Sequence, residues 1–122
     1  MFIDCFQKKK DLLGNNHPDT ISIMNNLASL YASQKKYDQA EPFYIDCLRK
    51  SKQILGDVHP KTLASMNNLA LLYNMQNKYD EAEPLYIDCV KKSKEILGDN
   101  HPSTLAFIHN LSKFYLTKES IN

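Results

Sequence analysis

The sequence predicts an all-α solenoid of stacked helix–turn–helix repeats, because several features recur along its 122 residues with one spacing. Gly14, Gly56 and Gly98 lie 42 residues apart, as do the three His-Pro dipeptides and the three cysteines. Residues 17–58 and 59–100 are identical at 28 of their 42 aligned positions. A fixed step between roughly 20 and 50 residues is typical of stacked repeat architectures. No segment shows a strand pattern.

The first helix of each copy is predicted from the stretch between Pro60 and Gln76. Its apolar and small residues fall on one arc at the helical period of 100° per residue, namely Thr62, Met66, Leu69, Ala70 and Tyr73. Pro60 suits the first helical position and pushes His59 out of the helical region. We expect His59, or a neighbouring Asp or Asn, to cap this end.

The second helix is predicted between about Tyr79 and Leu97. Its buried stripe is expected to contain Ala82, Leu85, Tyr86, Cys89, Val90 and Ile96. Pro84 lies near the start of the helix, where few backbone donors have an intrahelical partner, so we expect it to be tolerated. Gly98 is expected to end the helix in a left-handed conformation, which glycine adopts without a Cβ clash.

The same pattern divides the chain into one array with two full and two partial copies. The predicted parts are a partial copy at 1–16, full copies at 17–58 and 59–100, and a partial copy at 101–122. The first part, MFIDCFQKKKDLLG, matches a second helix, and the last part matches a first helix. We therefore expect six helices in the order second, first, second, first, second, first.

Apolar residues at the two ends look like halves of an ordinary contact between helices. We expect either a piece of a longer array or a subunit that stacks end to end, because a repeat buries its apolar face only against neighbours. The alternative is that both ends fray. The residues predicted to carry self-association are Phe2 and Phe6 at one end and Phe107 and Phe114 at the other.

Composition argues against several classes of function. The formal net charge of +1 gives no basic stripe for nucleic acid and no polybasic run for an anionic membrane. No apolar run approaches the length of a membrane span, and MFIDCFQKKK reverses the order of a secretory signal, so a cytoplasmic location is expected. Three widely spaced cysteines predict neither a disulfide framework nor a zinc site.

Seven residues of this pattern match a known family. Leu69, Ala70, Tyr73, Tyr79, Ala82, Tyr86 and Cys89 follow the spacing of tetratricopeptide repeats, and the chain resembles that family over nearly its whole length. The 42-residue step, with HPxT, NNLA, KYDEAEPLY and ILG, is similar to the repeats of kinesin light chains and nephrocystin-like proteins. Lys36 and Lys78, or Asn77 beside the latter, replace the usual turn glycine. The resemblance implies a right-handed superhelix whose first helices line a concave groove.

The arc opposite the core stripe of each first helix is the candidate binding surface. Asn amides there could hold the main chain of an extended peptide. Alternatively, the second Asn of each Asn-Asn pair satisfies backbone groups of the adjoining repeat. The first Asn becomes His109 in the last copy, which favours contact with a partner at that position. The candidate peptide-binding residues are Asn25, Asn26, Ser29, Asn67, Asn68, Leu71, Asn74, His109, Asn110 and Lys113.

We therefore predict a protein–protein interaction module that binds an extended peptide or a helix. The alternative is a structural spacer or self-assembling scaffold with no specific groove ligand. Kinesin light chain grooves, by resemblance, take acidic peptides through basic side chains, but this face offers only Lys113 and His109. No phosphate loop, nucleophile motif or local cluster of carboxylates and histidines predicts an enzyme, a cofactor or a metal. His17, His59 and His101 are each expected to serve a helix start.

Overall fold

The computed structural model describes the backbone of residues 18–121 and the side chains of residues 20–119. Within this part of the chain there are five helices and no strand. They are α1 (Pro18–Ser33), α2 (Tyr37–Leu55), α3 (Pro60–Met75), α4 (Tyr79–Leu97) and α5 (Pro102–Ile121). Six helices are therefore not confirmed, because the helix predicted within residues 1–16 lies outside the described residues. The division into two full and two partial copies remains a prediction.

The five helices form a row in which each packs chiefly on its neighbours in sequence. The extensive contacts are between α1 and α2, α2 and α3, α3 and α4, and α4 and α5. Such nearest-neighbour packing is what a solenoid requires, because no copy buries its apolar side alone. Among the helices of residues 18–121, none combines the length and the apolar character that a membrane crossing needs.

Histidine caps the first helices, as the sequence predicts. Nδ1 of His59 accepts a hydrogen bond from the backbone N–H of Lys61 at 3.1 Å, and Nδ1 of His101 accepts one from Ser103 at 3.0 Å. Each bond satisfies one of the orphan donors at a helix amino terminus. Pro60 occupies the first turn of α3, where its missing N–H costs nothing. His17 lies outside the described residues.

The second helices run without interruption through an internal proline. Pro42 lies within α2 and Pro84 within α4, each in the second turn. Because few N–H groups near a helix start have an intrahelical acceptor, the missing donor removes at most one hydrogen bond. Asp80 and Glu81 lie in the first turn of α4 and Lys94 in its last, which suits the helix dipole.

Gly56 and Gly98 end the second helices, but in a different conformation from the one expected. Their φ angles are +96° and +94°, and their ψ angles are 163° and 160°. The positive φ agrees with the prediction, whereas the extended ψ places both in a region that essentially only glycine occupies. The chain thereby leaves the helix at once and turns directly into the next first helix.

A positive φ also occurs in the short turns that join each first helix to its second helix. It falls on Lys35, with φ of 63°, and on Asn77, with φ of 62°. The sequence predicts the substituted turn glycine at Lys36 and Lys78 or at Asn77, so only the last of these is confirmed. Asn tolerates this region better than Lys does, because its short amide bonds locally.

The first helices are buried more widely than one apolar stripe predicts. Thr62, Met66, Leu69 and Ala70 are buried as expected, and Leu63 and Leu72 are buried as well. The cause is that α3 lies between α2 and α4. Its side chains join one cluster with Ala28 and Tyr44 of the preceding copy and Cys89 of α4.

Two expectations about burial are wrong. The sequence predicts Phe114 in an open seam at the carboxyl end, but its side chain is 0% exposed. Its ring centroid lies 5.2 Å from that of Tyr86 and 5.9 Å from that of Tyr79, so it packs back onto α4. Ile96 is expected in the buried stripe of α4 but is exposed, whereas Ser93 one turn earlier is buried.

The other residues predicted to carry self-association have two different outcomes. Phe107 is half-buried, so part of its ring is still accessible. Phe2 and Phe6 lie outside the described residues.

Candidate peptide-binding groove

The candidate residues on α1, α3 and α5 form one partly exposed face, which we call the groove face. Half-buried amides lie on it at Asn25, Asn67, Asn68, Asn74 and Asn110. The exposed members are Asn26, Ser29, Leu71, His109 and Lys113. The structure thus leaves all ten candidate side chains at least partly accessible.

A ladder of asparagine side chains joins the three first helices. Nδ2 of Asn68 on α3 donates to Oδ1 of Asn25 on α1 at 3.0 Å. One copy further on, Nδ2 of Asn110 on α5 donates to Oδ1 of Asn67 on α3 at 3.2 Å. The second Asn of one copy therefore bonds the first Asn of the copy before it. This asparagine ladder explains why the pair recurs.

The ladder corrects the interpretation of the second Asn, while contact of the first Asn with a partner stays a prediction. The second Asn does bond the adjoining copy, but to a side chain and not to its backbone. The first Asn offers its Oδ1 to the neighbouring repeat, so that atom is already engaged. An amide has two donor hydrogens and two acceptor lone pairs. Each rung uses one donor of Asn68 or Asn110 and one lone pair of Asn25 or Asn67, which leaves hydrogen-bonding capacity for a ligand.

One position of the groove face has an exposed candidate side chain in every copy, and that side chain is different in each. It is Ser29 on α1, Leu71 on α3 and Lys113 on α5, each 42 residues from the next, and all three are exposed. The face therefore presents a hydroxyl, an apolar side chain and a cation in succession.

A cavity of about 160 Å³ opens between α1 and α3 beside the asparagine ladder. Ile21 and Ala64 contribute apolar surface to it, and Ser51, Ser65, Asn25 and Asn68 contribute polar side chains. Ser51 is 0% exposed, and its hydroxyl has no hydrogen-bond partner among the residues that the structure describes. The cavity thus combines an apolar wall with one unsatisfied polar group.

Two basic side chains, Lys78 and Lys118, are paired with carboxylates of the preceding copy. Nζ of Lys78 lies 3.2 Å from Oε1 of Glu41, and Nζ of Lys118 lies 3.3 Å from Oε1 of Glu83. The hydroxyl of Tyr115 donates to Oε2 of Glu83 at 2.8 Å. That bond first, and then Lys118, hold the pKa of Glu83 below its usual value. These cations are therefore engaged within the chain.

The buried cysteines act as structural donors. The thiol of Cys47 donates to the carbonyl of Ile21 at 3.4 Å, and that of Cys89 donates to the carbonyl of Leu63 at 3.2 Å. Burial raises the pKa of each thiol to about 12. A thiol held neutral is a poor nucleophile and a poor metal ligand. Within the described residues, no group of three His, Cys, Asp or Glu side chains is arranged to hold a metal.

Sequence reasoning missed the cavity residues Ser51 and Ser65. Ser51 lies on a second helix, away from the arc expected to face the groove. A signal was present at Ser65, because the equivalent position of the next copy is Phe107. Such a change from small to large between otherwise similar copies marks a place where the packing differs.

Solved structures of similar fold cover nearly the whole chain. BtubC (BKLC) from P. vanneervenii has a TM-score of 0.86 at 19% identity, covering 97% of this chain and 47% of that protein. A Podosopora anserina putative kinesin light chain with nearly identical TPR-like repeats has a TM-score of 0.81 at 24% identity, with coverage of 98% and 56%. A variant of that protein has a TM-score of 0.83 at the same identity. The chain thus spans about half the length of these proteins.

The family itself follows from the sequence. No curated protein sequence matches the chain significantly. A family model for the tetratricopeptide repeat, however, matches residues 2–52 and 19–92, which together make up well over half of the chain. The helix pairs and the fold shared with kinesin light chain-like structures agree with that match. The chain belongs to the tetratricopeptide repeat family, and its fold is similar to that of the putative kinesin light chain structures.

Proposed function

We propose that the groove face binds an extended segment of another protein. Tetratricopeptide arrays serve in protein–protein interaction or as scaffolds, and solenoids offer extended surfaces for such contacts. The observation that carries the proposal is the exposed position that differs in every copy, Ser29, Leu71 and Lys113, on a face whose second Asn recurs in each copy. A spacer has no need of three different side chains at one exposed position of this face.

The chemistry of this face suits a peptide main chain with a simple pattern of side chains. The remaining donors and lone pairs of the ladder amides match the N–H and C=O groups of an extended segment. Leu71 favours an apolar side chain opposite α3, and Lys113 favours an acidic one opposite α5. An ion pair with exposed Lys113 adds only about 0–1 kcal/mol, so the amides and Leu71 carry most of the affinity.

A peptide selection tests the proposal. We would select ligands from a displayed library of random decapeptides with the 122-residue chain as bait, and measure their affinity by calorimetry. Ser29→Glu and Leu71→Glu change the groove face without touching the asparagine ladder. Together they are expected to weaken the selected peptides at least tenfold while the melting temperature stays unchanged.

Ile45→Glu and Ile87→Glu form the matched control. These side chains lie on the second helices and are 42% and 43% exposed, close to the 40% of Leu71. The control pair is expected to leave affinity unchanged. Equal loss in both pairs would point to a general effect of charge, and loss in the control pair alone would place binding on the second helices. Either result contradicts groove binding.

A second candidate function is end-to-end association of chains into a scaffold. It is favoured by Leu105 on α5, which is 51% exposed, whereas its counterpart Leu63 on α3 is fully buried in the cluster that contains Cys89. A second helix from another copy would cover Leu105 in the same way, with Phe2 and Phe6 of residues 1–16 as the predicted contacts. Because Phe114 is buried, Leu105 takes its place in this proposal.

Sedimentation velocity across a wide range of concentration tests this association. Self-stacking predicts a sedimentation coefficient that rises with concentration, and Leu105→Lys is expected to abolish the rise. Leu71→Lys is the control, because its exposed side chain lies on the groove face. A coefficient that is independent of concentration would exclude the scaffold.

A further inference from the structure

The cavity between α1 and α3 has a counterpart one copy further on, between α3 and α5, where the same place is built differently. Phe107 on α5 stands at the position of Ser65 on α3. The Phe107 ring packs against the buried cluster that contains Leu63, the counterpart of Ile21. We call the place between α1 and α3 the first junction and that between α3 and α5 the second junction. At the first junction the small Ser65 side chain turns to the backbone of its own helix, since its hydroxyl donates to the Lys61 carbonyl at 3.0 Å.

The hydrogen bonding of the buried hydroxyls also differs between the two junctions. At the second junction the hydroxyls of Ser93 and Thr104 are hydrogen-bonded to each other at 2.6 Å. At the first junction the Thr62 hydroxyl donates instead to the Gly56 carbonyl at 2.7 Å, and the buried Ser51 hydroxyl has no partner within the described part of the chain. The second junction therefore has paired hydroxyls and a packed phenyl ring, while the first has an opening and an unmatched group.

We propose that this cavity receives one uncharged, phenyl-sized side chain from the segment bound in the groove, in the place that Phe107 fills within the chain itself. The proposal rests on the proposed groove function and names a single anchor site, at α1 and α3. Because Phe107 already fills the second junction, the anchor fixes the position of the bound segment along the groove.

The chemistry of the walls favours an uncharged side chain. Ile21 and Ala64 offer apolar surface, and a charged group placed against them would lose hydration without a buried partner. Lys61 also lines the cavity but is exposed, so an acid paired with it gains little. Burying a phenyl group instead is expected to raise affinity by about 10- to 100-fold over alanine at the same peptide position.

Toluene, the side-chain analogue of phenylalanine, tests the cavity without a known ligand. We would titrate the 122-residue chain with toluene and follow the methyl NMR signals of Ile21 and Ala64. Saturable shifts at both methyls are expected, and propionate, the analogue of glutamate, is expected to cause none. Absence of saturable shifts with toluene, or equal shifts with propionate, would overturn the proposal.

Two exchanged variants make the test specific. Ser65→Phe copies the second junction into the first and is expected to weaken toluene binding at least tenfold. Phe107→Ser copies the first junction into the second and is expected to create a new site, reported by Leu63 and Ala106. Phe107→Ser keeps the proposal testable if Ser65→Phe fails to fold. Unchanged toluene binding in folded Ser65→Phe, or no new site in Phe107→Ser, would contradict the proposal.

Experiment can contradict the anchor inference and the proposed groove function independently of each other. If selected peptides bind the chain and folded Ser65→Phe with equal affinity, the anchor inference is wrong and groove binding stands. If toluene binds at Ile21 and Ala64 but no peptide is selected, the cavity stands and the groove function is wrong.

Discussion

Nδ2 of Asn68 donates to Oδ1 of Asn25 across the junction between two repeats, at 3.0 Å and 43 positions apart in sequence. The bonded residues lie 43 positions apart, one more than the 42-residue repeat. A copy that bonds on both sides therefore needs two adjacent Asn residues, one to accept and one to donate. The Asn pair therefore links neighbouring copies and also forms part of the groove face.

The asparagine ladder is expected to stabilise the array. Asn25→Ala removes the acceptor of a half-buried rung and is expected to lower the free energy of unfolding by about 1 kcal/mol. Asn68→Ala should cost a similar amount, and the double variant should cost less than the sum. Urea denaturation measures all three, with exposed Asn26→Ala as a control that changes stability by less than about 0.5 kcal/mol. Strict additivity of the two substitutions would show that the rung contributes nothing.

The glycines that end the second helices are expected to resist substitution because of their backbone conformation. No atom of the described residues, apart from the chain neighbours, lies within 4 Å of where a Cβ would be at Gly56 or Gly98, so alanine would meet no clash there. A residue with a side chain is strained at these φ and ψ values by roughly 1–3 kcal/mol. Gly56→Ala and Gly98→Ala should therefore each lower unfolding stability by that amount in urea titrations. If neither substitution changed stability, the backbone at the ends of these helices would have a different conformation from the one described.

Replacing Lys35 is expected to stabilise the turn between α1 and α2. Lys35 has the positive φ that Asn77 adopts in the next copy, and Asn77 also accepts a hydrogen bond from the Tyr79 hydroxyl at 2.9 Å. Lys35→Asn relieves strain and offers Tyr37 the same bond, so thermal unfolding should show a gain of about 0.5–1 kcal/mol. Lys35→Gly separates the two effects, because it relieves the strain without offering an acceptor. A loss of stability in both variants would contradict the assignment of strain to Lys35.

The buried thiols predict a loss of stability in alkali. An unfolded cysteine loses its proton near about pH 8.5, whereas burial raises the pKa of folded Cys47 and Cys89 to about 12. Between these values the folded chain binds more protons, so stability falls as pH rises and is unaffected below about pH 8. Denaturant titrations from about pH 7 to 11 should show this slope. It should be reduced in a variant that carries both Cys47→Ala and Cys89→Ala.

The same burial predicts slow reaction of the thiols with a disulfide-exchange reagent at about pH 8. Cys5→Ser provides the background, because Cys5 lies outside the described residues. Reaction of Cys47 and Cys89 should then proceed at the rate of unfolding and speed up in urea. Reaction in native conditions at the rate of a free thiol would show that these side chains are accessible.

The repeat step was sufficient to predict the helices, but not the contacts between copies. Spacing predicted the five described helices and the His caps, since those depend on local sequence. It missed the burial of Phe114 and Leu72, because a single helical wheel does not show that a first helix packs on two second helices. It missed the Ser51 cavity for the same reason, because residues from α1, α2 and α3 meet there only in the stacked array.

The central claim is that a partner binds on the groove face, and NMR mapping of a selected peptide tests it most directly. Titrating the labelled chain should shift the amide signals of Ser29, Leu71 and Lys113 and the methyl signals of Leu71, with the signals of Ile45 and Ile87 unchanged. Shifts confined to Ile45, Ile87 and their neighbours on α2 and α4 would contradict the claim.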